Sequence, residues 1–302
     1  MQNIQKVERQ SFFYPSEFLV GLGAGDVAVD GTRTFGGRLF EIGRHIDRLL
    51  DAASYQYIST DLSKSDIEET ITSALRTYRE RMPSHASPSA ELEVRFVLAA
   101  EGTSPNERSS RLLVYVQSFE TTLQCLSPKY RFGCPLISVQ QRAIPASVVC
   151  PQIKSRGSSH WRRAELEADA ESAGAWALLS FENGVISEGV GIGASGWNIH
   201  IVKNGVIYTP TLTQAVNGVT KQLVKRLAND NDIHFIEKSL YIDDIQNADE
   251  VFLTSTTIGI LPVQSLDGKE INSNAVWGTV TARIASLFNE QYHFPEFRNS
   301  LI

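Results

Sequence analysis

The sequence predicts a mixed α/β protein with two domains, the second larger than the first. The chain has 302 residues, and a single hydrophobic core stops growing at roughly 250–300 residues. Segments with helical and with strand-like apolar spacing follow one another along the chain. A segment with two prolines and one glycine, 126–135, separates the two regions. We therefore expect domains at 1–125 and 136–302, joined by a linker at 126–135.

The composition is that of a soluble globular protein, with 42% apolar and 21% charged residues. No stretch approaches the roughly 20 apolar residues of a membrane span, and residues 1–11 lack an apolar signal core. Three cysteines cannot form a fully paired disulfide framework, and no CxxC pair suggests zinc. The net charge of −6, without a long basic run, argues against nucleic-acid binding. We expect a cytoplasmic protein without a metal site.

The first region alternates extended and helical patterns. Residues 18–35 read as extended segments, and 40–55 has apolar residues at helical spacing. Ser65 followed by Glu68 predicts a capping box at the start of a second helix, which Pro83 closes. Strands are predicted at 92–100 and 112–119, with a polar turn at 103–110 between them.

The second region mixes the same two patterns and contains more elements. Strands are predicted at 147–150, 177–181, 198–202 and 251–254, and helices at 161–174 and 218–229.

Two glycine-rich segments suggest a dinucleotide site at first reading. The segment from Gly21 to Gly25 lacks the third glycine of the motif, and Gly191 to Gly196 matches it literally. A dinucleotide site needs a helix after the glycines, whose N-terminus faces the pyrophosphate. Strand-like residues follow both segments, so we expect turns and bulges instead.

Four separated segments carry residues suited to one kind of chemistry. The first contains Gly25-Asp26, Arg33 and His45-Ile-Asp-Arg-Leu49. The second contains Pro151-Gln-Ile-Lys154 and, 34 residues after the lysine, Glu188. The third is Tyr208-Thr-Pro210 with Gly218-Val-Thr220-Lys221, and the fourth runs from Val251 to Val263 through Thr256 and Thr257. In order and spacing these segments resemble the class IV aminotransferases, which include branched-chain and D-amino-acid aminotransferases and aminodeoxychorismate lyase.

The resemblance covers about Gly25 to Gly268 and implies both a fold and a cofactor. The fold is a small two-layer α/β domain joined to a larger α/β pseudobarrel domain, with pyridoxal 5'-phosphate at their interface. Lys154 stands at the family's Schiff-base lysine, whose amine binds the cofactor and moves a proton. Glu188 stands at the acidic residue that keeps the pyridine nitrogen protonated.

The same resemblance implies a set of ligands for the cofactor and the substrate. Arg33 stands at a phosphate-binding arginine, since a fixed guanidinium bonds a phosphate in bidentate fashion. Amides at a helix N-terminus form an anion site, so Val219 and Thr220 are phosphate ligands, and Thr256 adds another hydroxyl. Thr257 faces the substrate carboxylate. His160 or Trp161 occupies about the place of a tyrosine that bonds the ring oxygen, and His160 could donate the same hydrogen bond.

The implied activity is transamination between an amino acid, with branched-chain type favoured, and a 2-keto acid, commonly 2-oxoglutarate in this family. The family forms dimers, so a homodimer is expected. Ala24 replaces a frequent tyrosine, and the glycine-rich segment 189–197 is longer than usual. Two alternatives stay open, a pyridoxal-phosphate lyase of the aminodeoxychorismate type and a non-catalytic relative, which the departures at Ala24 and His160 permit. The departures also leave open the preference for L- or D-amino acids.

Overall fold

The computed structural model describes residues 26–82, 87, 89–101, 109–154, 159–271 and 275–294. Residues 21–25, with the first glycine segment, lie outside the described residues. Among the described helices, none is long and apolar enough to cross a membrane.

The first region is a sheet covered by two helices on one face. Within the described residues, four antiparallel strands pair in the order β2-β1-β3-β4. Alternate residues of β3 such as Val94 and Phe96 are buried against Ile46 and Leu49 of the first helix, as the period of a half-buried strand requires. The elements are β1 Val27–Phe35, β2 Arg38–Leu39, α1 Ile42–Tyr55, α2 Lys64–Arg81, β3 Leu92–Glu101 and β4 Ser109–Ser118.

The capping box of α2 lies two residues earlier than the sequence predicted. The Ser63 hydroxyl accepts a hydrogen bond from the Asp66 amide at 3.2 Å, and the Asp66 carboxylate accepts one from the Ser63 amide at 2.8 Å. The prediction of Ser65 with Glu68 is therefore wrong, because Ser63 and Asp66 offer the same spacing and are the pair that closes the box.

The predicted linker, 126–135, is not an irregular segment. It is helical as far as Phe132, in α3 Glu120–Phe132, and enters β5 Cys134–Ser138 after Gly133. Leu126 and Tyr130 are buried in the larger core, and the Tyr130 hydroxyl donates to the Ile258 carbonyl at 2.7 Å. Burial of these side chains keeps the segment helical despite Pro128. The domain boundary itself stays a prediction.

The second region contains a closed ring of strands. Pairings run β8-β11-β12-β5-β6-β7, and β7 pairs back to β8. The ring closes because β8 pairs with β7 through Ser195–Trp197 and with β11 through Asn198–Val202. The predicted pseudobarrel is confirmed. The remaining elements are α4 Ser159–Glu171, β6 Trp176–Ser180, β7 Ile186–Gly191, β8 Ser195–Lys203, β9 Val206–Thr209, α5 Val219–Asn229, β10 Phe235–Glu237, α6 Ile242–Gln246, β11 Glu250–Ser255, β12 Gly259–Leu266, β13 Lys269–Glu270 and α7 Thr279–Tyr292.

One strand prediction in this region is wrong. Residues 147–150 form turns, in which the amides of Val148 and Val149 both donate to the Pro145 carbonyl. Apolar residues at 147–150 favoured a strand, but Pro145 and Pro151 on either side of them interrupt regular pairing. This irregular segment leads directly to Lys154 at the cavity between the two sheets.

Candidate active site

A cavity lies between the small sheet and one end of the barrel. Its walls come from β1 and β3 on one side and from β7, β8, the start of α5 and the end of β11 on the other. All the site residues predicted from the sequence line this cavity. They are Arg33, Lys154, His160, Glu188, Val219, Thr220, Thr256 and Thr257.

Lys154 reaches the cavity beside a buried carboxylate. Its Nζ lies 3.9 Å from Asp30 Oδ1, and its side chain is 33% exposed. The preceding Ile153 packs against the core of the small sheet. A partly exposed amine beside a buried negative charge is held in the cavity while it stays within reach of a ligand.

Asp30, at the centre of β1, links several groups of the site. Its carboxylate accepts hydrogen bonds from Arg48 Nε at 2.6 Å and Arg48 Nη2 at 2.8 Å. Burial opposes its ionisation, but the charges of Arg48 and Lys154 outweigh burial and hold the pKa of Asp30 well below its usual range. Asp30 is therefore ionised at neutral pH.

His45 extends this network toward the end of β11. Its Nδ1 lies 2.9 Å from Asp30 Oδ1 and its Nε2 lies 3.2 Å from Thr256 Oγ1. Burial lowers the pKa of His45 against the attraction of Asp30. A chain of contacts therefore runs from Arg48 through Asp30 and His45 to the Thr256 hydroxyl.

Sequence reasoning had not assigned roles to Asp30, His45 and Arg48. The spacing of His45 and Arg48 on α1 was a usable signal, since residues three apart share one helix face.

Glu188, on β7, has one buried oxygen without a partner. Its Oε2 makes no hydrogen bond within the part of the chain that the structure describes. Burial raises the pKa of Glu188 to about 7, against a backbone hydrogen bond from Val216 and the positive charges of Lys154 and Arg48. A buried, unsatisfied carboxylate is costly, and a protonated ring nitrogen would give Glu188 the partner it lacks.

The first turn of α5 has a second unsatisfied group. Thr220 Oγ1 is buried and has no hydrogen-bond partner among the described residues. It lies one residue after Val219, where the helix begins with Gly218 as its N-cap. Free amides and a hydroxyl at a helix N-terminus form an anion site. The residues present therefore fit both a ring nitrogen at Glu188 and a phosphate at Thr220.

Arg33 lies in the same cavity, but its guanidinium already has protein partners. It donates from Nε to the Thr34 carbonyl at 3.1 Å and from Nη1 to the Thr257 carbonyl at 3.0 Å. Its Cζ lies 4.1 Å from the ring centroids of both Phe35 and Phe119. These contacts fix Arg33 tightly. Its phosphate-binding role stays a prediction.

His160 and Thr257 lie at other parts of the wall. His160 is in the first turn of α4, and burial lowers its pKa, which favours the neutral ring. Thr257 Oγ1 lies 3.2 Å from Ser195 Oγ. No group of three or more His, Cys, Asp or Glu side chains that could hold a metal ion is found in the described ranges.

The second glycine segment forms a tight turn packed with tryptophan rings. Gly191 ends β7, a 3₁₀ turn spans Ile192–Ala194, and β8 follows, so the helix of a dinucleotide site is missing here. A Cβ at Gly196 would lie 2.5 Å from the Trp161 ring. At Gly189 it would lie 2.0 Å from Trp197, and at Gly191 it would lie 2.5 Å from Trp176. We call these three pairs the glycine–tryptophan contacts.

Comparisons with known proteins show the family of the chain. The sequence model of the family described as amino-transferase class IV matches residues 28–266. A protein of Methanocaldococcus jannaschii assigned as a branched-chain-amino-acid aminotransferase is 30% identical over 91% of this chain and 90% of its own length. The D-alanine aminotransferase of Bacillus licheniformis is 27% identical over 83% of this chain and 82% of its own.

Solved structures share the fold. A branched-chain amino acid aminotransferase of Escherichia coli matches with a TM-score of 0.76 and 22% identity, covering 90% of this chain and 87% of that one. An aminotransferase from Brucella abortus bound to pyridoxal phosphate matches with the same TM-score of 0.76 and 22% identity, over 94% and 95% of the two chains. The predicted two-part architecture and the resemblance are confirmed. The chain belongs to the amino-transferase class IV family, which uses pyridoxal phosphate and to which the aminotransferases named above are similar.

Proposed function

We propose that this transaminase acts on amino acids of the branched-chain type, with Lys154 as its catalytic residue. The observation that carries the site assignment is the meeting of Lys154 with two buried polar groups that lack partners among the described residues, Glu188 Oε2 and Thr220 Oγ1. The relatives named for branched-chain amino acids support the substrate class.

When bound, pyridoxal phosphate supplies a ring that withdraws electrons from the substrate's α-carbon. Lys154 would bind it covalently and would move the proton at that carbon. Glu188 would hold the proton on the ring nitrogen, and His160 would donate a hydrogen bond to the ring oxygen. Thr257 and its neighbouring amides orient the substrate carboxylate.

The phosphate ligands in this proposal are the Val219 and Thr220 amides, the Thr220 hydroxyl and Thr256. Arg33 remains a candidate from the sequence, and we add Arg48. Arg48 lines the cavity, and its Nη2 lies 3.3 Å from His45 Nδ1, while the other ring nitrogen of His45 contacts Thr256. The pairing with the ionised Asp30 fixes the guanidinium of Arg48, which would supply a positive charge for the phosphate.

Lysine variants of Arg33 and Arg48 distinguish the contributions of the two arginines to cofactor binding. We expect Arg48→Lys to weaken cofactor affinity by about 1.5–3 kcal/mol, the range for hydrogen bonds to charged groups. Arg33→Lys should change it less, because protein carbonyls already accept from Arg33 Nε and Nη1. Spectral titration of cofactor-free protein measures both. The opposite order would place Arg33, and not Arg48, at the phosphate.

The donor preference is tested with a panel of L- and D-amino acids. We expect leucine, isoleucine or valine to convert the cofactor spectrum fully to the aminated form, with one equivalent consumed when no keto acid is present. Continued consumption without a keto acid would favour the lyase alternative. A protein that no member of the panel converts would favour the non-catalytic one.

We further infer a cytoplasmic homodimer, as the resemblance implies. The three cysteines, Cys125, Cys134 and Cys150, form no disulfide in the structure, which is compatible with a reducing compartment. Sedimentation of the cofactor-loaded protein measures the assembly.

A further inference from the structure

Two charged residues of β3 line the cavity and have no part in the activity described above. They are Glu93 and Arg95. Their positions in the sheet are opposite Arg33 and Gly31 of β1. Since alternate residues of a strand point to the same face, Glu93 and Arg95 share the face that lines the cavity.

The pair is held in a defined arrangement. Arg95 Nε donates to Glu93 Oε1 at 2.7 Å, and Gln117 Nε2 donates to the other oxygen, Glu93 Oε2. Arg95 also lies close to Gly31, where an added Cβ would come within 3.4 Å of Arg95 Cγ. A larger residue at 31 would press on the arginine stem, and Gln117 keeps Glu93 turned toward Arg95.

The pair brings no net charge to this part of the cavity. An unpaired arginine here would attract a second carboxylate on a substrate side chain. With Glu93 bonded to it, Arg95 can accept such a carboxylate only if Glu93 is displaced or the two negative charges lie close together. The cavity wall also carries Ala143, Ile144 and Val149, which provide apolar contacts for an aliphatic side chain.

We propose that Glu93 is a specificity-determining residue that neutralises Arg95 and selects against substrates with a second carboxylate. The inference rests on the proposed function and deepens it. The pairing is expected to weaken the binding of 2-oxoglutarate, the acceptor expected from the resemblance, relative to 2-keto acids with an uncharged side chain.

The test compares two unreactive acids that differ in the second charge, glutarate and 4-methylvalerate. Their binding to the cofactor-loaded protein is measured by calorimetry, which does not depend on turnover. In Glu93→Gln, glutarate affinity should rise about tenfold, and 4-methylvalerate affinity should stay within about twofold. The expected gain is modest because both charges are partly exposed, with side-chain exposures of 36% for Arg95 and 14% for Glu93.

Two further variants isolate the cause. In Glu93→Gln with Arg95→Gln the gain for glutarate should disappear. Glu101→Gln is the matched control, since Glu101 lies on the same strand and pairs with Arg111 at 2.8 Å but does not line the cavity. It should leave both affinities unchanged.

Two results would overturn the inference. One is equal glutarate binding in the wild type and Glu93→Gln, and the other is an equal gain for both acids. The proposed function fails separately, if no amino acid converts the cofactor spectrum of the wild type. If the wild type reacts normally but Glu93→Gln binds glutarate no more tightly than the wild type does, only the inference is contradicted.

Discussion

Lys154→Ala is expected to lower the rate of amino transfer by at least about a thousandfold, because positioned proton transfer alone contributes on the order of 10²–10⁴. The variant should still fold, since the side chain is 33% exposed and leaves Asp30 paired with Arg48. Single-turnover absorbance with a good amino donor measures the loss.

The covalent role is checked independently of rate. Borohydride reduction of the loaded wild type, followed by digestion and mass spectrometry, should place the phosphopyridoxyl group on Lys154. Lys221→Gln serves as a control, because Lys221 is a second buried lysine, whose Nζ donates to the Pro210 carbonyl at 2.9 Å. In this variant the label should remain on Lys154. A label on Lys221, or on any other lysine, would refute the assignment.

Glu188→Gln is expected to slow the proton-transfer step by about a hundredfold, within the range for positioned acid–base groups, and to leave cofactor binding largely intact. Glutamine keeps the volume and can accept a hydrogen bond, but it cannot stabilise a positive charge on the ring nitrogen as a carboxylate does. Single-turnover kinetics isolate that step. Near-normal turnover would make Glu188 a structural residue and weaken the case for Lys154.

The same variant has a pH signature in the cofactor-free protein. Burial raises the pKa of Glu188 from 4.5 to about 7. Between these values the unfolded chain loses a proton that the folded protein keeps, so the wild type loses stability as the pH rises. Glu188→Gln removes this loss and should be the more stable protein at pH 8, by at most about 3 kcal/mol. At pH 4 the two should unfold alike.

Urea unfolding at the two pH values measures the difference. If the wild type and Glu188→Gln differ in free energy of unfolding by the same amount at both pH values, Glu188 does not titrate in this range.

Much of the framework followed from local pattern. Helices and strands with strong apolar periodicity, such as 92–100, 198–202 and 218–229, were predicted to within a few residues. Segment 147–150 was predicted wrongly as a strand, and segment 126–135, predicted as a linker, is helical as far as Phe132. In the first, flanking prolines decided against a strand, and in the second, burial of Leu126 and Tyr130 outweighed Pro128.

The site was predictable where one residue type is indispensable to a chemistry. A lysine and a carboxylate at the spacing found in the class IV aminotransferases predicted Lys154 and Glu188, and both line the cavity; their roles stay predictions. Asp30 was not found, because a single aspartate in a strand has no local signal. Its importance comes from Arg48, His45 and Lys154, which only the tertiary fold brings to it.

The glycine–tryptophan contacts limit how this enzyme can be evolved for other substrates. A side chain at Gly189, Gly191 or Gly196 would collide with an aromatic ring within 2.0–2.5 Å, so each glycine and its ring must change together. Random libraries that alter one codon at a time will therefore lose folded protein in this turn. The irregular segment 143–151, which stops short of Lys154, also contributes residues to the cavity wall without strand pairing. It is the better region to diversify in a directed-evolution campaign.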